Sequence, residues 1–240
     1  METDIILEVK NLSVTIGAEE ILKGISFAVK RGSALAIIGP NGAGKTILFK
    51  ALLGIIPHQG EIHWEANTRV GYVPQRFDMD RSVPLTVKEF FLLKSRRFWR
   101  GDQRFLGHLE HDLGVVGLSN SILQKSVSEL SGGELQRLLI SWAMVDHPDV
   151  LLLDEPTAGI DIGFEETIYQ LMHRLQDERG TTILLISHDL NVVYRYAEEV
   201  LCINKQMICQ GRPQEVLNPE DLAKIYGAGG FYRHPEKAAH

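Results

Sequence analysis

The sequence predicts an α/β fold: a parallel-stranded core carrying an N-terminal antiparallel β subdomain and an inserted α-helical subdomain. Three observations predict it. The octapeptide GPNGAGKT, Gly39 to Thr46, lies between an apolar run, ALAII, and an amphipathic one, ILFKALLGI. That is the strand, loop and helix context a phosphate-binding loop requires. Strand signals return at 150–153 and 181–186 and in a hairpin at 200–209, separated by helical stretches. Between 76 and 130 the periodicity is helical instead, in VKEFFLLKSRRFW and RFLGHLEHDLGVV, which reads as an insertion into the core.

Taken in order, residues 5 to 37 hold two runs of alternating apolar residues, IILEVKNLSV and EEILKGISFAV, with turn residues between them. They predict an antiparallel sheet leading into the strand before the loop. In the loop, Gly39, Pro40, Asn41, Gly42, Ala43 and Gly44 let the backbone curl so that successive amides converge on an anion. Lys45 supplies a charge for the outer phosphates, the helix N-terminus adds its dipole, and the Thr46 hydroxyl suits Mg²⁺. ATP with Mg²⁺ is the implied ligand pair. A further strand is expected at 69–73.

The run DVLLLDEP, 149–156, is a buried strand ending in two carboxylates. Asp154 stands where such proteins place a Mg²⁺-organising aspartate. Glu155 projects beside the γ-phosphate position, where an acid can take a proton from an attacking water. An acidic solvated turn before Pro156 is the plainer alternative. LSGGE, 130–134, opens the amphipathic helix ELQRLLISWAM. Ser131 and Glu134 have capping-box spacing, which needs no ligand. Gly132 and Gly133 nevertheless cost roughly 1 kcal/mol each against alanine, and make sense if another group approaches the backbone. The residues alone leave both readings open.

Composition sets limits. At 240 residues, 44% hydrophobic and 23% charged, the chain can bury one large core, so a single folding unit with a subdomain is expected. The division is core at 1–75 and 131–225, helical subdomain at 76–130, and tail at 226–240. No apolar run approaches the roughly 20 residues that span a bilayer. The start, METDIILEVK, is acidic where a secretory signal is basic, which argues against export. A net charge of −6 argues against a nucleic-acid partner. Cys202 and Cys209, either side of an Asn204-Lys205 turn, read as small buried hydrophobes of a cytosolic protein.

Along essentially its whole length the chain resembles the nucleotide-binding subunits of ABC transporters, whose core is a P-loop NTPase of RecA type. GPNGAGKT resembles their Walker A, VLLLDE their Walker B, and LSGGE with Leu135-Gln136-Arg137 their signature. Gln75 in YVPQ resembles the Q-loop glutamine, Ala158-Gly159-Ile160-Asp161 the D-loop, and His188 in ISHDL the switch histidine. The resemblance implies a head-to-tail pairing with a second copy of the chain. ATP would lie between one Walker A and the other copy's Ser131, Gly132 and Gly133, with Asp161 nearby. It also implies that Glu155 is the general base, that Gln75 joins Mg²⁺ and water to the helical subdomain, and that His188 holds the γ-phosphate. Integral-membrane permease subunits would be separate chains, and the protein would sit peripherally on the cytoplasmic face of the inner membrane.

Two departures stand out. The family places an adenine-stacking aromatic where this chain has Ile16, and an arginine where it has Trp142; the second reads as a packing difference. The stretches 70–91 and 199–217, with FYRH near the C-terminus, look most like bacterial zinc and manganese importers. That implies divalent-metal import, with a metal-binding substrate-binding protein as an indirect partner. A soluble ABC ATPase serving assembly, such as iron–sulfur cluster biogenesis, is the alternative. His234 and His240 could be metal ligands or a solvated end. Lys94, Arg96, Arg97, Arg100 and Arg104 could face lipid headgroups, the cytoplasmic loops of the membrane partner, or simply water.

Overall fold

The computed structural model describes residues 4–77, 83–94, 109–110, 112–157, 162–218, 222 and 225–226. In chain order its elements are β1 Ile5–Ile16, β2 Glu19–Lys30, β3 Ala34–Ile38, α1 Lys45–Leu52, β4 Gln59–Trp64, β5 Val70–Val73, α2 Val87–Leu92, α3 Gly132–Met144, β6 Val150–Asp154, α4 Ile162–Arg179, β7 Thr182–Ile186, α5 Leu190–Tyr196, β8 Glu199–Asn204, β9 Gln206–Gly211 and α6 Pro213–Val216. They fall into two compact units: 1–65 with 186–240, and 66–185.

In the first unit the long hairpin β1–β2 is antiparallel, from Ile5 opposite Lys30 to Ile16 opposite Glu19. Leu7, Val9, Leu12 and Val14 are all buried although the step from Val9 to Leu12 is odd. A register shift at Lys10–Asn11, with Asn11 at φ 49, absorbs the extra residue and returns the second half of β1 to the core face. On its other side β1 pairs with β4, giving the order β2-β1-β4. The apolar alternation does not reveal β4, because Gln59, Gly60 and Glu61 are exposed and the strand lies at the edge.

β3 is buried at all five positions, as a strand covered on both faces must be. It runs parallel to β8, Leu35 opposite Glu199 through Ile38 opposite Cys202, and β8 turns back into β9. Ala36 and Ile38 of β3 share a core with Val193 of α5, Val200 and Cys202 of β8, and Leu217 and Ile225 beyond α6. Cys202 and Cys209 are joined by a disulfide, which corrects the expectation of two separate small hydrophobes. The reason is register: an irregularity in the ladder between Cys202 and Ile203 takes up one extra residue on β9 and makes Cys202 and Cys209 direct partners, with Cα atoms 4.9 Å apart.

In the second unit β5 and β6 run parallel, Val70 opposite Val150 through Val73 opposite Leu153. Their beginnings are stapled by Arg69, whose backbone N–H donates to Asp149 Oδ2 at 2.9 Å and whose side chain reaches Asp149 and the Asp146 carbonyl. The helix α2 starts at a Thr86–Glu89 capping box and ends at Leu92, short of the helical run expected from the sequence; residues 95–108 lie outside the described ones. Trp142 of α3 packs against Phe90, ring centroids 5.5 Å apart, and Lys94 Nζ sits 4.1 Å above its ring. Lys94 also pairs with Asp146 at 3.0 Å, and its side chain is only 15% exposed. It is therefore a packing residue, not a headgroup contact. Arg96, Arg97, Arg100 and Arg104 lie outside the described residues. No helix among the described residues is long and apolar enough to cross a membrane.

Candidate nucleotide site

The Walker A loop leaves β3 at Gly39 and enters α1 at Lys45. Gly39 is required by contact, since a Cβ there would stand 2.0 Å from the Ile203 carbonyl oxygen. Gly44 caps α1 at φ 95, a left-handed conformation, and a Cβ would press 2.5 Å against the Leu22 side chain. Pro40 is partly covered, Asn41 and Gly42 form an exposed tip, and Ala43 is buried. Lys45 is 8% exposed, and its Nζ donates to the carbonyls of Gly39 at 2.7 Å and Pro40 at 3.0 Å. A buried ammonium needs such acceptors, so the lysine wraps its own loop around itself. Thr46 follows in the first turn, partly exposed. The turn between β8 and β9 braces this loop: the Lys205 N–H donates to the Ala43 carbonyl at 3.1 Å.

His188 belongs to the same unit. The Ser187 N–H donates to the Ile37 carbonyl of β3 at 3.4 Å, and the Asp189 N–H donates to Ser187 Oγ at 3.1 Å. Asp189 then caps α5 by accepting from Asn191 at 2.8 Å. This corner fixes the exposed His188 beside the strand that feeds the phosphate loop. Ile16 ends β1 and is 50% exposed. Tyr226 lies against the β3–β8 core. Burial pushes its phenol above the ordinary value, against an opposing pull from the Gly39 backbone N–H.

The second unit holds the Walker B acids. Asp154 ends β6 at 1% exposure. Glu155 follows at φ 48, a left-handed conformation uncommon outside glycine and concentrated at functional sites. Gln75 Nε2 donates to Glu155 Oε2 at 2.8 Å. That leaves the Gln75 amide oxygen, the atom that can ligate a cation, uninvolved in this bond. Tyr72, which the motif reading quoted only as part of YVPQ, faces Asp154. Burial and the Asp154 charge push its phenol up to about 12.

The signature begins α3 with a complete capping box. The Ser131 N–H donates to Glu134 Oε2 at 2.9 Å, and the Glu134 N–H donates to Ser131 Oγ at 3.2 Å. Lys125 Nζ reaches Glu134 Oε1 at 3.0 Å. The Ser131 N–H and Lys125 together hold the Glu134 carboxyl down at about 2. The structural reading of LSGGE is thus realised. It does not explain the glycines, because a Cβ on Gly133 would meet nothing within 4 Å, and Gly132 is exposed. Asp161 and the rest of the D-loop lie outside the described residues, as do His234 and His240.

A phosphate loop, an aspartate-ended buried strand followed by a glutamate, and a Ser-Gly-Gly helix start define an ATP-binding cassette. The chain belongs to the ABC transporter family, whose profile matches residues 22–158, and it is that family's ATPase component. Its relatives include a probable metal transport system ATP-binding protein of Thermotoga maritima, 40% identical over 92% of this chain and 90% of the relative. The zinc import ATP-binding protein ZnuC of Pasteurella multocida is 37% identical over 92% and 82%. Among solved structures, an ATP-binding cassette of an ABC transporter in its ADP conformation superimposes with TM-score 0.78 at 25% identity, covering 93% of this chain and 99% of that one. CbiO1 of Clostridium perfringens, part of the cbiONQ transporter complex, gives 0.73 at 28%, covering 92% and 94%.

Proposed function

We propose that this cassette energises the import of a divalent metal ion, zinc or manganese, by hydrolysing ATP beneath separate membrane permease chains. The observation that carries the hydrolytic part is the Gln75–Glu155 contact at 2.8 Å, with Glu155 held in a left-handed backbone. The names of the relatives support the cargo class, and favour it over a soluble assembly ATPase. Loop amides from Gly39 to Gly44 and the Lys45 ammonium would bind the phosphates. Thr46 Oγ1, the Asp154 carboxylate and the Gln75 amide oxygen are hard oxygen donors of the kind Mg²⁺ accepts, and would hold it. Bound there, Mg²⁺ would neutralise charge on the β- and γ-phosphate oxygens. Glu155 would take the proton of the attacking water, oriented by its bond from Gln75. His188 would hold the γ-phosphate, and Ile16 would cover the adenine without a π-face.

Gly133, open to approach, and the exposed Gly132 support a signature that meets nucleotide on a second copy of the chain, with Ser131 donating its hydroxyl. In that arrangement Asp161 follows the Walker B acids at the contact between copies. The cassette would be peripheral, on the cytoplasmic face, and a substrate-binding protein would deliver the metal to the permease.

The direct test is Glu155→Gln. It is expected to keep ATP affinity while turnover falls by about 10² or more, the scale of a lost general base. Near-normal turnover would remove Glu155 from that role. For the cargo, vesicles holding the cassette with its permease should take up zinc or manganese only when ATP is supplied on the cassette side. Uptake of neither ion would refute the metal-import reading.

A further inference from the structure

We propose that the Cys202–Cys209 pair is a thiol–disulfide exchange site: closed, it fixes the β8–β9 hairpin against the Walker A loop, and opened by a small thiol it weakens that loop's hold on ATP. The inference rests on the reading of Gly39 to Thr46 as the phosphate cradle. It starts from the ladder. β8 and β9 keep a regular register from Val200 opposite Gly211 to Cys202 opposite Cys209, but Ile203 then faces Met207, so Ile208 has no residue opposite. Beyond that break only two rungs remain, Ile203 with Met207 and Asn204 with Gln206. This short tip is the part of the hairpin that meets the loop. A Cβ on Gly39 would strike the Ile203 carbonyl, and the Lys205 N–H donates to the Ala43 carbonyl at 3.1 Å.

The side chains of β9 bury little at the tip, since Gln206, Met207 and Ile208 are all exposed. Lys205 turns the chain at φ 60, a conformation that a non-glycine residue keeps only where its surroundings impose it. The disulfide ties the last regular rung, directly beside the break, and so limits how far the tip can shift. Cys202 is fully buried and Cys209 half-buried, so an incoming thiolate reaches the Cys209 sulfur. It bonds there, the S–S bond breaks, and Cys202 leaves as a thiolate that takes up a proton. A second small thiolate then displaces Cys209 from the mixed disulfide. The products are two protein thiols and one small-molecule disulfide, with two electrons passed to the cysteine pair. On the cytoplasmic face proposed above, thiols are kept reduced, and a disulfide there is usually transient or redox-sensing.

The experiment is an equilibrium titration of a fluorescent ATP analogue with Mg²⁺ on the full chain, first equilibrated with either glutathione disulfide or excess glutathione. Alkylation after denaturation should label neither cysteine in the first sample and both in the second. Affinity is expected to be at least about fivefold weaker in the reduced sample, the low end for coupling between two sites. Cys209→Ser should bind as reduced wild type does in both buffers. Equal affinity in the two wild-type states would overturn the inference, as would tighter binding after reduction. So would a bond that glutathione does not open, or a difference that survives in Cys209→Ser. Lys45→Ala separates the two readings: it should lose nucleotide affinity in both buffers, and if it does not, the phosphate-cradle reading itself has failed.

Discussion

Glu155 shows what single-residue strain contributes. Its φ of 48 costs a non-glycine residue about 1 kcal/mol, and the conformation aims the carboxylate at Gln75. Glycine at 155 would relieve that strain but lose about 0.5–1 kcal/mol through the entropy of the unfolded chain. Glu155→Gly is therefore expected to stay within about 0.5 kcal/mol of wild type in denaturant unfolding while ATP turnover is lost. A loss above about 2 kcal/mol would mean that the native contacts of Glu155, and not its chemistry, justify the backbone. Motif spacing identifies this glutamate readily. It does not reveal Tyr72, whose neighbour Asp154 lies 82 residues away in sequence and is brought near only by strand register. Nor does it reveal Lys94 on Trp142, a contact between the turn that follows α2 and the face of α3.

Among the elements, α3 has a start whose pH response can be worked out. The Glu134 carboxyl is held at about 2, below the roughly 4.3 of an unfolded glutamate. A depressed folded pKa stabilises above the unfolded value, and that contribution is lost as pH falls toward 2. Glu134→Ala is expected to cost about 1 kcal/mol at neutral pH, the usual value of a lost cap. The gap to wild type should hold down to about pH 4.3 and close by pH 2. A gap independent of pH would show that the charge plays no part. At the Walker A loop, Gly39→Ala would drive a methyl into the Ile203 carbonyl. It should abolish ATP binding while the β1–β2 hairpin persists by circular dichroism. Strands with continuous apolar runs, β3, β6 and β7, are legible in sequence because burial on both faces leaves only one reading. The edge strand β4 is not, since four of its six residues face water. The cysteine pair escapes for a related reason: its seven-residue spacing acquires meaning only once both the turn position and the ladder irregularity beside it are fixed.

For the whole molecule, the glycines at the start of α3, Gly132 exposed and Gly133 open to a Cβ, are the feature that no packing among the described residues explains. If they face nucleotide on a second copy, Gly132→Asp sets a carboxylate against the γ-phosphate. ATP binding to the isolated chain should stay within about twofold of wild type. The ATP-dependent dimer, trapped in a Glu155→Gln background and read by light scattering, should disappear. A variant that dimerises normally would leave LSGGE as a helix cap and nothing more.

The peptide of Lys205 lies at the crossing of three distant stretches of chain. Its N–H goes to Ala43 in the phosphate loop, its carbonyl accepts from the Lys23 N–H at 2.8 Å, and its ammonium meets Glu19 at 2.8 Å. The tip of the β8–β9 hairpin is thus wired to the loop on one side and to the β1–β2 turn on the other. Any tightening of the loop around a triphosphate should slow the opening that lets the Lys205 amide trade its proton for deuterium. This one amide is a native gauge of occupancy, readable by exchange mass spectrometry in the unmodified protein.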